Sequence, residues 1–462
     1  MPPRPASGDD AFVANYNALQ QPGLVNGAAA VSQAASSQNG ARQAVEPSKN
    51  GLAQAEVVKS SMMATIINVT KGIIGAGMLT LPLAIHESSV IPGLLLLTFS
   101  AGISAFSFAL LGYGCAATGA ESFHELWTAT MGKSSAWAVQ LSIMCDNCFT
   151  LWAYSTLVAD FVGKAMVDLL PSFSLAHSRF FILAIVGTAI FAPLSYQQTL
   201  DALKYTSGLG LCAIAYSCIC LFTEYVESGE GTRHFTGNYC AVKFLIFKSS
   251  VLFAFSFGCH YSVPKVYSEL AQRSERRIGL VAVGAFTASL LIYTAFAMLG
   301  YGRFGSHVAG NVLVNFHEGN VAVLLMWVAM AASVITSYPM IFFSLKENLY
   351  GLLDVAEKDA SVQLRLGIVI VGVSGSCLLG AAVEDASIVM GICGALVSSA
   401  VQFCFPAMIF LSLPSRGLKG HKASSCWLRS LSKALFVVGV FTALTGLAAT
   451  IMDALKEVHT GD

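Results

Sequence analysis

Three glycines fall within six positions, Gly72, Gly75 and Gly77, inside an apolar run that opens Asn68-Val69-Thr70-Lys71. Glycine weakens a helix by about 1 kcal/mol relative to alanine, so Gly75 and Gly77, with Ala76 between them, mark the place where this helix opens. Five apolar runs later, Phe253-Ala254-Phe255-Ser256-Phe257-Gly258 forms a second weak point at comparable depth, ahead of Pro264. Matched interruptions in two halves of a chain point to an inverted-repeat carrier that holds its ligand between two broken helices. An opened helix in hydrocarbon leaves backbone groups that need a polar partner. A small zwitterion meets that need. The half-helix after Gly77 aims its positive end at a carboxylate, and carbonyls around Phe255, Ser256 and Phe257 accept from an ammonium group. The expected ligand contacts are therefore Gly75, Ala76, Gly77, Phe255, Ser256, Phe257 and Gly258, with Asn147 and Thr150 from the third run. The alternative is that these glycines only let spans pack closely.

Charge inside apolar runs is the second chemical signal. Lys71 lies nine residues into its run and Asp146 ten residues into the third, about 13 and 15 Å deep at a rise of 1.5 Å per residue. Each alone costs at least about 2.5–3.5 kcal/mol at mid-membrane, so a mutual pair is expected, or one opened by substrate or by a proton that either group carries. Asn68 stands one turn before Lys71. Ser333, Thr336 and Ser337 offer hydroxyls to an ion from the eighth run. Lys248, five residues from the outer edge, is expected to reach the interface. Asp160 and Lys164 have the spacing of a helix-surface pair. Cys145 and Cys148 read as small packing residues.

The elements that must position these groups are membrane helices. The 462 residues are 55% hydrophobic and 11% charged, with a mean hydropathy of +0.66, which excludes an ordinary soluble domain. Twenty-six basic residues balance 26 acidic ones, so no basic face for nucleic acid is indicated. The 12 cysteines sit almost wholly in apolar runs, which argues against soluble metal sites and disulfide-stapled modules. Eleven spans are predicted, at 62–84, 90–117, 136–168, 180–196, 203–226, 243–263, 278–301, 319–345, 364–383, 387–413 and 432–454. With the N-terminus in the cytosol, eighteen of the 26 lysines and arginines lie on the cytoplasmic side, six lie opposite, and two, Lys71 and Lys248, lie within spans. Residues 1–58, rich in Ala, Gln, Ser, Asn and Gly, are expected to form a disordered cytosolic tail with no cleaved signal peptide. Residues 59–456 form the membrane domain and 457–462 a short C-terminal tail.

The stretch Lys71-Gly72-Ile73-Ile74-Gly75-Ala76-Gly77-Met78-Leu79-Thr80-Leu81-Pro82-Leu83-Ala84 resembles that of the proton-coupled branch of the amino acid/auxin permease family. Phe253-Ala254-Phe255, Cys259-His260 and Pro264, Tyr267, Glu269, Leu270 are similar to a signature of its sodium-coupled branch. The resemblance covers residues from about 60 to 455. It implies an all-α leucine-transporter-like fold, a five-plus-five inverted repeat with one extra helix, and secondary active transport of neutral or cationic amino acids. It implies no enzymatic activity and no cofactor beyond a coupling ion, proton or sodium. Sodium-coupled members often carry asparagine where Lys71 stands, which favours sodium independence or a proton here. Proton-coupled members often carry histidine where Asn68 stands, so that titrating group does not carry over. Asp146 stands near a glutamine of the sodium-coupled members, which raises cationic substrates. The partners implied are an amino acid and membrane lipid, at a plasma or a vacuolar or lysosomal membrane. An amino-acid sensor with little net transport, signalling through the tail, is the competing class. A channel would need a ring of pore-lining charge or carbonyls, and no such ring is apparent.

Overall fold

Long apolar stretches punctuated by short polar links fold into helices, because only an internally bonded backbone is tolerated in lipid. The computed structural model describes residues 60–460 apart from 173, 198–205, 230–237, 242, 356–358 and 415–425. The expected tail at 1–58 lies outside the described residues. Among the described residues there is no strand, only an isolated bridge between Ser60 and Leu270.

The first span is α1 (Met62–Ile73) and α2 (Leu81–Ser88), bent by 53°. Ser61 caps α1 by accepting from the Ala64 amide, and Thr65, Val69 and Ile73 form its buried stripe. A single 3₁₀ segment, Ala76–Thr80, joins the halves, and Pro82 sits in the first turn of α2, where its missing N–H is harmless. There follow α3 (Val90–Thr118), the short α4 (Phe123–Met131) and α5 (Ala136–Leu169). Next come α6 (Arg179–Tyr196), which contains a π turn at Gly187–Phe191, and α7 (Thr206–Glu227). The second half opens with another broken span, α8 (Ile246–Ser256) and α9 (Val263–Glu269), joined through the 3₁₀ turn His260–Ser262. It continues with α10 (Glu275–Phe304), α11 (Val321–Leu352), α12 (Val362–Ala382), α13 (Ala386–Ser412) and α14 (Cys426–Thr460). The last helix continues into the stretch set apart above as a C-terminal tail.

Every predicted span falls on one of these helices. Among the described residues eight helices are long and apolar enough to cross a membrane, or nine with the bent α1–α2 pair. The other two predicted crossings are α5, interrupted by Asp146, Asp160 and Lys164, and α8, whose 11 residues end at the second break. Large apolar side chains such as Leu95, Leu291, Val371 and Leu444 are at least 67% exposed, which suits a lipid-facing surface and not water. The core packs α5 against α11 and α12, and α3 against α10, so the two broken spans lie among these supports.

Candidate functional site

The two interruptions meet. Ser256 Oγ, at the end of α8, lies 3.0 Å from the Gly77 carbonyl oxygen, and also 2.8 Å from that of Leu252 in its own helix. Tyr293 Oη, from α10, lies 2.7 Å from the carbonyl of Ile73 and 2.8 Å from that of Ser256. One phenol therefore serves both opened backbones. Glycine at 77 is a matter of space: a Cβ there would stand 2.8 Å from Ser256 Oγ and 3.0 Å from its Cα. Gly75 is extended, and a Cβ there would meet nothing nearer than the Ile73 carbonyl at 3.9 Å.

Between the breaks lies a cavity of about 110 Å³. Span one contributes Gly72, Ile73, Gly75, Ala76 and Gly77, and span six contributes Phe255, Ser256, Gly258, Cys259, His260 and Tyr261. From α5 come Asp146, Asn147, Thr150 and Tyr154; positions 146, 150 and 154 share one helix face by their spacing of four. Ile341 of α11 and Ser398, Val401 and Gln402 of α13 complete the lining. The α13 residues are presented by two π turns, Gly394–Ser398 and Ala400–Cys404, which fit an extra residue into a turn and are frequent at functional sites.

Asp146 is the one Asp, Glu, Lys or Arg among the lining residues. The Cys393 thiol, 3.5 Å from its Oδ1, is its sole hydrogen-bond partner among the described residues. Asn147 donates to Ser344 Oγ on α11 at 3.0 Å and is thereby held in place. Gln402 donates to the Ala254 carbonyl at 2.8 Å. His260 Nε2 lies 2.8 Å from Ser107 Oγ and 3.1 Å from the Ser104 carbonyl.

Of the expected contacts, Gly75, Ala76, Gly77, Phe255, Ser256, Gly258, Asn147 and Thr150 line this cavity. Phe257 does not. Its ring is fully buried against Tyr293 and Phe286, with centroids 5.2 and 6.0 Å away. Of the carbonyls expected to meet an ammonium group, that of Phe255 already accepts from the Gly258 amide and that of Ser256 from Tyr293 Oη, and the neighbouring Ala254 carbonyl accepts from Gln402.

The charge assignments change more. Lys71 and Asp146 form no ion pair among the described residues: equal depth does not set the angle around a helix, and Lys71 is not among the residues that line the cavity. Asn68 is exposed and apart from the cavity. Ser333, Thr336 and Ser337 do not line it either. Thr336 and Ser337 donate back to carbonyls of their own helix, and Ser333 lies against Gly210 of α7. Lys248 does not reach the interface. It is 1% exposed and bound by Glu87 Oε1 at 2.8 Å and Asp453 Oδ2 at 2.5 Å, linking α2, α8 and α14. Asp160 pairs with Arg179 at 2.6 Å, and Lys164 with Glu318 at 3.2 Å, so the expected pair on one helix is absent. Cys145 and Cys148 are free thiols.

Sequence reasoning missed Tyr154, Tyr261, Tyr293, Ser398 and Gln402. A lone amide in an otherwise apolar run was the signal available for Gln402. Lys346 was also missed. It is buried, donating at 2.8 Å to each of the carbonyls of Ser195 and Gln197, where a cation complements the negative end of α6.

Residues 58–452 match the family model described as transmembrane amino acid transporter protein. Human solute carrier family 38 member 8 is 25% identical over 425 residues, covering 87% of this chain and 94% of its own length. The sodium-coupled neutral amino acid symporter 2 of Danio rerio is 24% identical over 432 residues, covering 86% and 84%. The sodium-coupled neutral amino acid transporter 7 of Xenopus laevis is 22% identical, covering 85% and 89%. Among solved structures, MhsT in complex with L-phenylalanine aligns with a TM-score of 0.52 at 14% identity, over 84% of this chain and 98% of that one. Inward-facing Mhp1 aligns at 0.53 and 11% identity, over 86% and 92%. These two share the leucine-transporter-like fold of this chain. The protein is a multi-pass integral membrane transporter, not an enzyme, and belongs to the transmembrane amino acid transporter family, with relatives of the solute carrier 38 type.

Proposed function

We propose that this chain carries amino acids by alternating access around the cavity between its two broken helices, without need of sodium and driven by protons. The observation that carries the reading is the closure of both breaks around one polar cavity containing a single carboxylate. The positive end of the Ala76–Ser88 half-helix receives the substrate carboxylate. The ammonium group rests on break carbonyls, each of which keeps a second lone pair beyond its bond to protein. Lys71, with no ion-pair partner among the described residues, stands one turn from Gly75, and a basic residue at that position disfavours a sodium ion there. The chain crosses the membrane eleven times with a cytosolic N-terminus, in the plasma membrane or a vacuolar or lysosomal one.

A sodium-coupled alternative is favoured by the names of two relatives. Uptake of labelled amino acids by proteoliposomes, with and without sodium and with an inward proton gradient, separates the two. Concentrative uptake in sodium-free medium that rises with the gradient is expected; strict sodium dependence at fixed pH would establish the alternative. Binding without flux would identify a sensor.

A further inference from the structure

The carboxylate of Asp146 is oddly under-served for a group within the membrane. An ionised carboxylate offers about four acceptor sites, and among the described residues only the Cys393 thiol, a weak donor, occupies one of them. Two further acceptors on lining residues, His260 Nδ1 and Gln402 Oε1, are buried without a partner. No lysine or arginine lines the cavity. The site thus has an unspent negative charge and spare acceptors, and lacks a cation.

The larger hollow beside the far ends of α2 and α8 has the same bias. Six carboxylates and three lysine or arginine side chains line its roughly 1010 Å³. All three bases are already bound to carboxylates: Lys164 to Glu318, Arg179 to Asp160, and Lys248 to both Glu87 and Asp453. Glu384 and Asp385 remain without an ion-pair partner among the described residues. A hollow with an excess of negative charge in its lining attracts cations.

Resting on the carrier function proposed above, we propose that the cavity accepts cationic amino acids with Asp146 as receptor for the side-chain charge, and that a proton on Asp146 replaces that charge when a neutral amino acid is carried. Either loaded form then brings one positive charge into the cavity, as a cationic side chain or as a proton. The titratable groups around Asp146 are Cys145 and Tyr154 on its own helix, His260 and Tyr261 from the second break, and Cys393 from α13. From α11 the nearby Ile341 and Ser344 carry no charge. No lysine or arginine lining the cavity competes for the carboxylate.

The test uses the purified full chain in proteoliposomes loaded with a pH-sensitive dye. Labelled L-arginine and L-alanine are supplied separately, at acidic and at neutral external pH. Alanine uptake is expected to rise in acid and to acidify the lumen, whereas arginine uptake proceeds without proton entry and weakens in acid. Asp146→Asn is expected to lower arginine uptake by about tenfold, a loss of about 1.4 kcal/mol in binding, and to abolish both the acid stimulation of alanine uptake and the proton entry that accompanies it. Asp146→Glu retains both modes, which separates charge from packing. Alanine uptake with no arginine uptake, or equal proton entry with both, overturns the inference while leaving the carrier intact. Absence of flux for both classes in the wild type overturns the carrier reading itself.

Discussion

Ser256 Oγ and the carbonyl oxygen of Gly77 lie 3.0 Å apart, so the two broken helices touch through a hydrogen bond at their interruptions. The contact explains why the backbone of span one comes so near. It predicts that Gly77→Ala, whose added methyl would press on Ser256 and on the Phe255 ring at 3.2 Å, lowers uptake at least about tenfold and lowers the melting temperature. Gly75→Ala, whose methyl meets only the Ile73 carbonyl at an ordinary 3.9 Å, should spare the melting temperature while narrowing the cavity. Equal thermal stability of Gly77→Ala and wild type would refute the steric account.

Tyr293 holds the breaks from behind. Tyr293→Phe removes the one hydroxyl near both the Ile73 and Ser256 carbonyls and leaves them short of a donor in a fully buried place. A loss of about 1–3 kcal/mol in stability is expected, read by unfolding of the protein in detergent or lipid. A phenylalanine variant as stable and as active as wild type would show the hydroxyl to be idle.

The triad of Glu87, Lys248 and Asp453 ties α2 and α8, one half of each broken span, to α14. Removing the lysine strands two acids, so Lys248→Met should destabilise by about 3–5 kcal/mol. Combining it with Glu87→Gln should restore part of that loss. Additive effects of the two substitutions would deny the coupling.

Lys71→Asn removes the cation placed one turn below the first break. Uptake driven by a proton gradient should fall, and sodium stimulation should emerge, both measured in the same proteoliposomes. Unchanged uptake in both media would show the lysine to be structural.

The first break was legible because glycine acts through its own backbone: Gly75 and Gly77 weaken the helix wherever the rest of the chain goes. Position along a helix is legible for Lys71, Asp146 and Lys248, since counting residues gives the rise. Angle around the axis is not. Equal depth therefore does not pair Lys71 with Asp146, and the hydroxyls of Thr336 and Ser337 turn back to carbonyls of their own helix. The partners of Lys248 were out of reach for another reason: Glu87 and Asp453 lie 161 and 205 residues away along the chain. Gln402 enters the cavity through π turns, which shift the helix phase without a mark in the apolar pattern.

The central claim is that an amino acid sits between the two breaks, and a structure of the full chain in lipid nanodiscs with saturating L-arginine or L-alanine tests it most directly. The account predicts ligand density against Gly75 to Gly77, flanked by Phe255 and Ser256, with the arginine side chain directed to Asp146. Density elsewhere with this cavity empty, or two uninterrupted helices with no hollow between them, would contradict it.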